Sequence, residues 1–128
     1  MTLVLDAGGI SALADRQALL GGLERQGHWP AQVPAVVLAE ALTGDHRRDF
    51  RVNRLLRACQ IRPVTELQAR EAARLRTATG RAGKISAADA IVAAVASALP
   101  DPIVFTSDPR GLNALAAHAS QPIDIVTV

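Results

Sequence analysis

Four carboxylates stand where carboxylates are costly. Asp6 closes the apolar run Thr2-Leu3-Val4-Leu5, and Asp108 follows Ile103-Val104-Phe105-Thr106-Ser107. Glu40 is the only charge between Pro34 and Gly44, and Asp89 opens the apolar run Ala90 to Ala96. A buried carboxylate needs a cation or hydrogen bonds, because an isolated buried charge is strongly destabilising. Brought together, four such groups repel one another and call for a bound cation. An oxygen-only donor set suits a hard divalent ion, Mg²⁺ or Mn²⁺. Each acid also has a plain structural explanation, and these stay open. Asp6 and Asp108 follow strands and can cap the next turn. Glu40 can be the single solvent-facing residue of an apolar helix. Ser86-Ala87-Ala88-Asp89 has capping-box spacing, with an acid in the first helical turn.

Other chemistries lack their residues. The stretch Gly80-Arg81-Ala82-Gly83-Lys84-Ile85-Ser86 falls short of a phosphate-binding loop, with Ala78 in place of its first glycine and Ile85 in place of its Ser or Thr. His28, His46 and His118 have no zinc spacing, and no Ser or Cys sits in a nucleophile motif.

The elements that must position the acids alternate in type. Residues 2–6 read as a buried strand followed by a turn at Gly8-Gly9, and Ile10 to Leu20 as a helix stopped by Gly21-Gly22. Residues 23–30 complete a helical hairpin or a loop. Gln32-Val33 is a short strand, and Pro34 opens a helix from about 35 to 43 that Gly44 stops. A helix over 46–59 places Val52, Leu55, Leu56 and Cys59 on one face and Arg47, Arg51 and Arg54 on the other. Residues 60–64 form a strand that Pro63 puts near an edge. Thr65-Glu66-Leu67-Gln68 is a capping box opening a helix to about Thr79. After a loop at Gly80, Gly83 and Lys84, Ser86 caps a helix reaching Ala98. A strand over 103–106, a helix over 110–118 and a strand over 123–128 complete the chain. Alternation of helices with continuously apolar strands predicts one α/β domain over residues 1–128, its parallel sheet covered on both faces. Ligands of such sheets gather beyond the C-terminal strand ends, where Asp6 and Asp108 lie.

Composition sets the surroundings. Of 128 residues, 49% are apolar, enough for a core, and 2% aromatic, so helices must pack through small side chains. Cys59 is the only cysteine, which excludes an internal disulfide and fits a reducing cytoplasm. The N-terminus shows no signal-peptide pattern. The longest apolar run, Ala87 to Leu99, is broken by Asp89 and falls short of the about 20 residues a membrane helix needs. A soluble cytoplasmic protein is expected. The net charge of +2 is uneven: residues 47–84 carry eleven of the fourteen Lys+Arg and three of the twelve Asp+Glu, a local charge of +8. That reads as a polyanion-binding surface beside a cation-binding pocket, or else as solvated helix faces. Phe50 lies among the arginines, where an aromatic can meet a partner, stack on a base or pack on a neighbouring helix.

The order of the acids resembles the PIN domain, most closely the VapC toxins of bacterial toxin–antitoxin pairs. The resemblance rests on Val4-Leu5-Asp6-Ala7, Val37-Leu38-Ala39-Glu40, Ile85-Ser86-Ala87-Ala88-Asp89-Ala90-Ile91-Val92-Ala93-Ala94 and Val104-Phe105-Thr106-Ser107-Asp108, and it spans the chain. It implies a three-layer α/β/α fold with a short, mostly parallel sheet of four to five strands. It also implies Mg²⁺- or Mn²⁺-dependent cleavage of RNA, a homodimer and a VapB antitoxin as partner. Asp6, Glu40, Asp89 and Asp108 match the family's acidic positions, with Asp6, Asp89 and Asp108 as metal ligands. Thr106 matches its supporting hydroxyl. Arg47, Arg51, Arg54, Arg81 and Lys84 are the cations expected to hold the RNA backbone. One departure stands out: the family often carries Ser, Thr or Asn soon after the first Asp, where this chain has Gly8-Gly9. Two alternatives remain, a catalytically inactive PIN-like binding module and a receiver-like phosphoacceptor switch.

Overall fold

The computed structural model describes residues 1–128. Five parallel strands form one sheet: β1 (Thr2–Leu5), β2 (Gln32–Pro34), β3 (Gln60–Arg62), β4 (Pro102–Thr106) and β5 (Asp124–Thr127), in the order β3-β2-β1-β4-β5. The central strand β1 is buried at Leu3, Val4 and Leu5, as expected of a strand covered on both faces. Edge strands β3 and β5 are short and carry Gln60, Arg62 and Asp124.

Helices cover the sheet in two sets. The first set is α1 (Ala7–Ala14), α2 (Gln17–Arg25), α3 (Leu38–Ala41) and α4 (Phe50–Leu56), with α2, α3 and α4 each packed on α1. The second is α5 (Glu66–Ala78), α6 (Ala87–Ser97) and α7 (Pro109–Ala116), packed on one another. The core joins Leu3, Leu5, Ile10 and Leu13 to Leu75, Val92, Leu112 and Leu115, all essentially inaccessible to solvent. α6 is buried almost all round, and the small side chains of Ala90, Ala93, Ala94 and Ala96 let it pack closely against α5, α7 and the sheet.

The expected elements all occur, with shifted boundaries. Gly8-Gly9 is not a turn: both lie inside the first turns of α1, which Asp6 caps. A Cβ on Gly9 would stand 2.3 Å from the Phe105 carbonyl oxygen, so the bare backbone lets α1 rest directly on the end of β4. Gly21-Gly22 does not stop a helix either. The break falls at Asp15-Arg16, and α2 runs through both glycines, each costing about 1 kcal/mol of propensity, while Leu23 is buried.

The helix expected over 35–43 is a 3₁₀ turn (Ala35–Val37) followed by one turn of α3. The helix expected over 46–59 is only α4. Two aspartates hold residues 43–49 in a turn instead. Asp45 accepts from the backbone N–H groups of Arg47 and Arg48 at 2.9 and 3.2 Å. Asp49, 5% exposed, accepts from Thr43 N–H and Oγ1–H at 2.9 Å each and from Gly44 N–H at 2.8 Å. These bonds, led by that of the Thr43 backbone, hold its carboxyl below the usual carboxylate range. The capping box at Thr65 and Gln68 is complete, with bonds of 3.1 and 3.2 Å. No helix is long and apolar enough to cross a membrane.

Candidate active site

β1 and β4 are neighbours with Leu5 opposite Phe105, so the residues that follow them emerge side by side. From β1 the chain moves to β2 on one side, whereas β4 on the other side is reached only later, from β3. A crevice opens at such a switch point, beyond the C-terminal strand ends.

Asp6 leaves β1 as the N-cap of α1. It is 8% exposed, and its Oδ1 accepts from Gly9 N–H at 2.7 Å. Asp108 is the N-cap of α7, with Oδ1 accepting from Arg110 N–H at 3.3 Å. Thr106, buried at the end of β4, sets that turn: its hydroxyl accepts from Asp108 N–H at 3.1 Å and donates to the Asp108 carbonyl at 3.2 Å. Asp89 sits in the first turn of α6. Ser86 Oγ accepts from Asp89 N–H at 3.0 Å, one half of a capping box, but the carboxylate does not return to the Ser86 backbone. It turns outward instead, its Oδ2 only 3.1 Å from where a Cβ on Gly111 would stand. Glu40 arrives from the short α3, exposed to solvent. All four acids line one open cavity of about 210 Å³, with Gly8, Ser86, Thr106 and Ser107 on its walls. The capping explanations hold for Asp6 and Asp108, yet capping and convergence coexist: the cap of Asp6 engages one oxygen and leaves the other available, and the second oxygen of Asp108 meets only the exposed Arg110 side chain.

The acids feel different fields. Burial, then Asp6 and Glu40, and more weakly Asp108, push the Asp89 carboxyl above its usual range against a Ser86 contact that lowers it. Asp108 is held below its usual range by the Arg110 side chain, whose Nε and Nη2 lie 3.1 and 3.2 Å from Oδ1 and Oδ2. That pair is exposed and correspondingly weak. Asp89 therefore lies among three anions with no cation of its own, the electrostatic situation a divalent ion relieves. The oxygen donors fit Mg²⁺ or Mn²⁺. The side chains do not form a closed cage in this conformation, since no three of them converge within coordination reach. Three oxygens are engaged elsewhere, Asp6 Oδ1 with Gly9 and both Asp108 oxygens with Arg110.

The expected basic residues lie apart from this cavity. Arg51 pairs with Asp15 at 3.1 Å, both exposed. Arg51 and Arg54 border a larger groove with Phe50, Trp29 and Leu20. Arg47 lies in the turn before α4, and Arg81 and Lys84 lie in the α5–α6 loop. The site also holds residues the acid pattern did not single out. Ser107 and Arg110 flank Asp108 in sequence, but nothing in their spacing marked them. Gly111 matters through the room it leaves for Asp89. The end of β3, where a receiver-like domain would carry its phosphoacceptor, is at the sheet edge and contributes nothing to the cavity.

A parallel α/β/α domain with an acid-lined crevice at its switch point defines the class of protein. The PIN domain model matches residues 11–117, and the protein belongs to the PIN domain family. Solved structures share the fold. VapBC2 from Rickettsia felis, bound to a DNA fragment from its promoter, superposes with a TM-score of 0.75 at 14% identity, covering 100% of this chain and 99% of that one. DNA-bound VapBC from Salmonella typhimurium gives 0.73 at 13% identity, covering 99% and 98%. FitAcB from Neisseria gonorrhoeae gives 0.65 at 22% identity, covering 95% and 96%. No functionally curated protein matches the sequence.

Proposed function

We propose that this protein is a divalent-metal-dependent endoribonuclease acting as the toxin of a VapBC-type pair. The observation that carries this reading is the convergence of Asp6, Glu40, Asp89 and Asp108 on one cavity, with Asp89 facing three other acids. Asp6, Asp89 and Asp108 would hold Mg²⁺ or Mn²⁺. When bound, the ion supplies Lewis acidity, which lowers the pKa of a water and offsets charge on the phosphate. Glu40, the one acid of α3 and exposed to solvent, accepts a proton from the attacking water. The water oxygen forms a new bond to phosphorus, one ester P–O bond breaks, and the departing ribose oxygen takes a proton from solvent. Asp6 and Asp108 keep their geometry through their caps, and Thr106 holds the Asp108 backbone.

Arg47, Arg51, Arg54, Arg81 and Lys84 hold the RNA backbone outside the cavity through contacts that salt weakens. The groove bordered by Trp29, Leu20 and Phe50, with Asp15, Glu24, Arg51 and Arg54 at its rim, supports a protein partner, a VapB-type antitoxin or a second copy. The VapBC and FitAcB structures support the same reading through the shared fold.

The test is cleavage of total cellular RNA by the purified chain, freed of any partner, with Mg²⁺ or Mn²⁺. Discrete fragments that vanish with EDTA and with Asp6→Asn are expected. Measurable Mn²⁺ binding without cleavage would mean a narrow substrate absent from the mixture. Neither binding nor cleavage would overturn the nuclease reading.

A further inference from the structure

Three hydroxyls line the acid cavity, from Ser86, Thr106 and Ser107. Two are committed to backbone bonds. Ser86 caps α6 through Asp89 N–H at 3.0 Å, and Thr106 is locked to both the N–H and the carbonyl of Asp108. Turning either toward a ligand would undo the cap or turn that positions an acid. Ser107, exposed on the turn between β4 and α7, has no such bond. Its place is kept open by the opposite wall. A Cβ on Gly8 would stand 2.1 Å from Ser107 Oγ and 2.9 Å from Ser107 Cβ, so no side chain at residue 8 coexists with this hydroxyl. The backbone of α1 thus gives way to Ser107, which lines the acid cavity next to Asp108.

From this geometry we infer that Ser107 is a further residue of the metal site, hydrogen-bonding the water shell of the bound ion. The inference rests on the divalent-cation reading of the cavity. Mg²⁺ and its analogues keep several waters when held by few carboxylates, and those waters need partners. The acids accept only. A hydroxyl both donates and accepts, so Ser107 can meet a water in either orientation. Loss of such an outer partner typically costs about 10–100-fold in metal affinity or activity.

The experiment compares the parent chain with Ser107→Ala, Ser107→Thr and Asp89→Asn. Mn²⁺ affinity is measured by calorimetry, RNA cleavage in parallel, and melting of the metal-free proteins as the folding control. Ser107→Ala is expected to lose about 10–100-fold in Mn²⁺ affinity with unchanged metal-free melting. Ser107→Thr, which keeps the hydroxyl, is expected to restore binding and cleavage toward the parent. Parent-like Mn²⁺ affinity in Ser107→Ala overturns the role of Ser107, and leaves the cation site standing if Asp89→Asn still abolishes binding. A parent that binds no Mn²⁺ overturns the cation site and this role with it.

Discussion

Asp89 carries the sharpest consequence at the scale of single residues. Its folded carboxyl has a raised pKa, so ionisation costs stability in full above that pKa, and the cost fades as pH falls through it and is gone below the usual carboxylate value. Metal-free Asp89→Asn should therefore melt a few degrees above the parent near neutral pH, with the gap closing in acid; calorimetric scans from neutral to acidic pH would read this. Mn²⁺ should raise the melting temperature of the parent and leave that of the variant unmoved, because a ligand stabilises only the state that binds it. Equal melting of the two metal-free proteins at neutral pH would contradict the crowding of anions. Gly111→Ala makes a second test. Alanine favours a helix over glycine by about 1 kcal/mol, yet its methyl would meet Asp89 Oδ2 at 3.1 Å. The variant is expected to hold its stability while Mn²⁺ affinity falls, and unchanged affinity would show that Asp89 has room to spare. The acids themselves were legible in the sequence because charges in apolar runs are costly. Ser107 and Gly111 were not, because their importance lies in distances to residues about 20 to 100 positions away, and Arg110 reaches Asp108 only through the turn that starts α7.

The elements were read from punctuation, and punctuation misled where tertiary packing overrode it. A glycine pair usually signals a turn. Gly8-Gly9 instead sits in a helix because α1 must touch β4, and Gly21-Gly22 is carried through α2 by the buried Leu23. Where the side-chain chemistry is local the reading held, as in the complete capping box at Thr65 and Gln68. The 46–59 segment looked helical by its apolar spacing. Asp45 and Asp49 shortened it by offering backbone N–H groups a side-chain acceptor instead of a helical carbonyl. Gly9→Ala tests the close approach of α1 to β4. Overpacking of this kind costs about 1–3 kcal/mol, and urea unfolding should show the midpoint falling accordingly. An unaffected midpoint would mean that α1 can slide on the strand at no cost.

For the molecule as a whole, the +8 segment does not make one surface. Arg47, Arg51 and Arg54 belong with the helices around α1, whereas Arg70, Arg74 and Arg76 lie on α5. Much of the α5 charge is spent internally, on Glu66, Glu71 and the Ile85 carbonyl. RNA affinity should therefore respond mainly to the first group. Replacing Arg47, Arg51 and Arg54 by Glu is expected to weaken binding and to flatten its dependence on log salt by about 0.7 per lost phosphate contact on a single strand. An unchanged slope would assign those arginines to a partner protein. The parallel sheet has one more consequence, in the time domain. No strand pairs through a hairpin, and the residues that meet in the crevice span the chain from Asp6 to Asp108. Such long-range pairings form slowly, and a ribosome delivers the N-terminal part first. On the nuclease reading proposed above, a nascent chain is thus chemically unarmed until β4 has emerged and paired with β1.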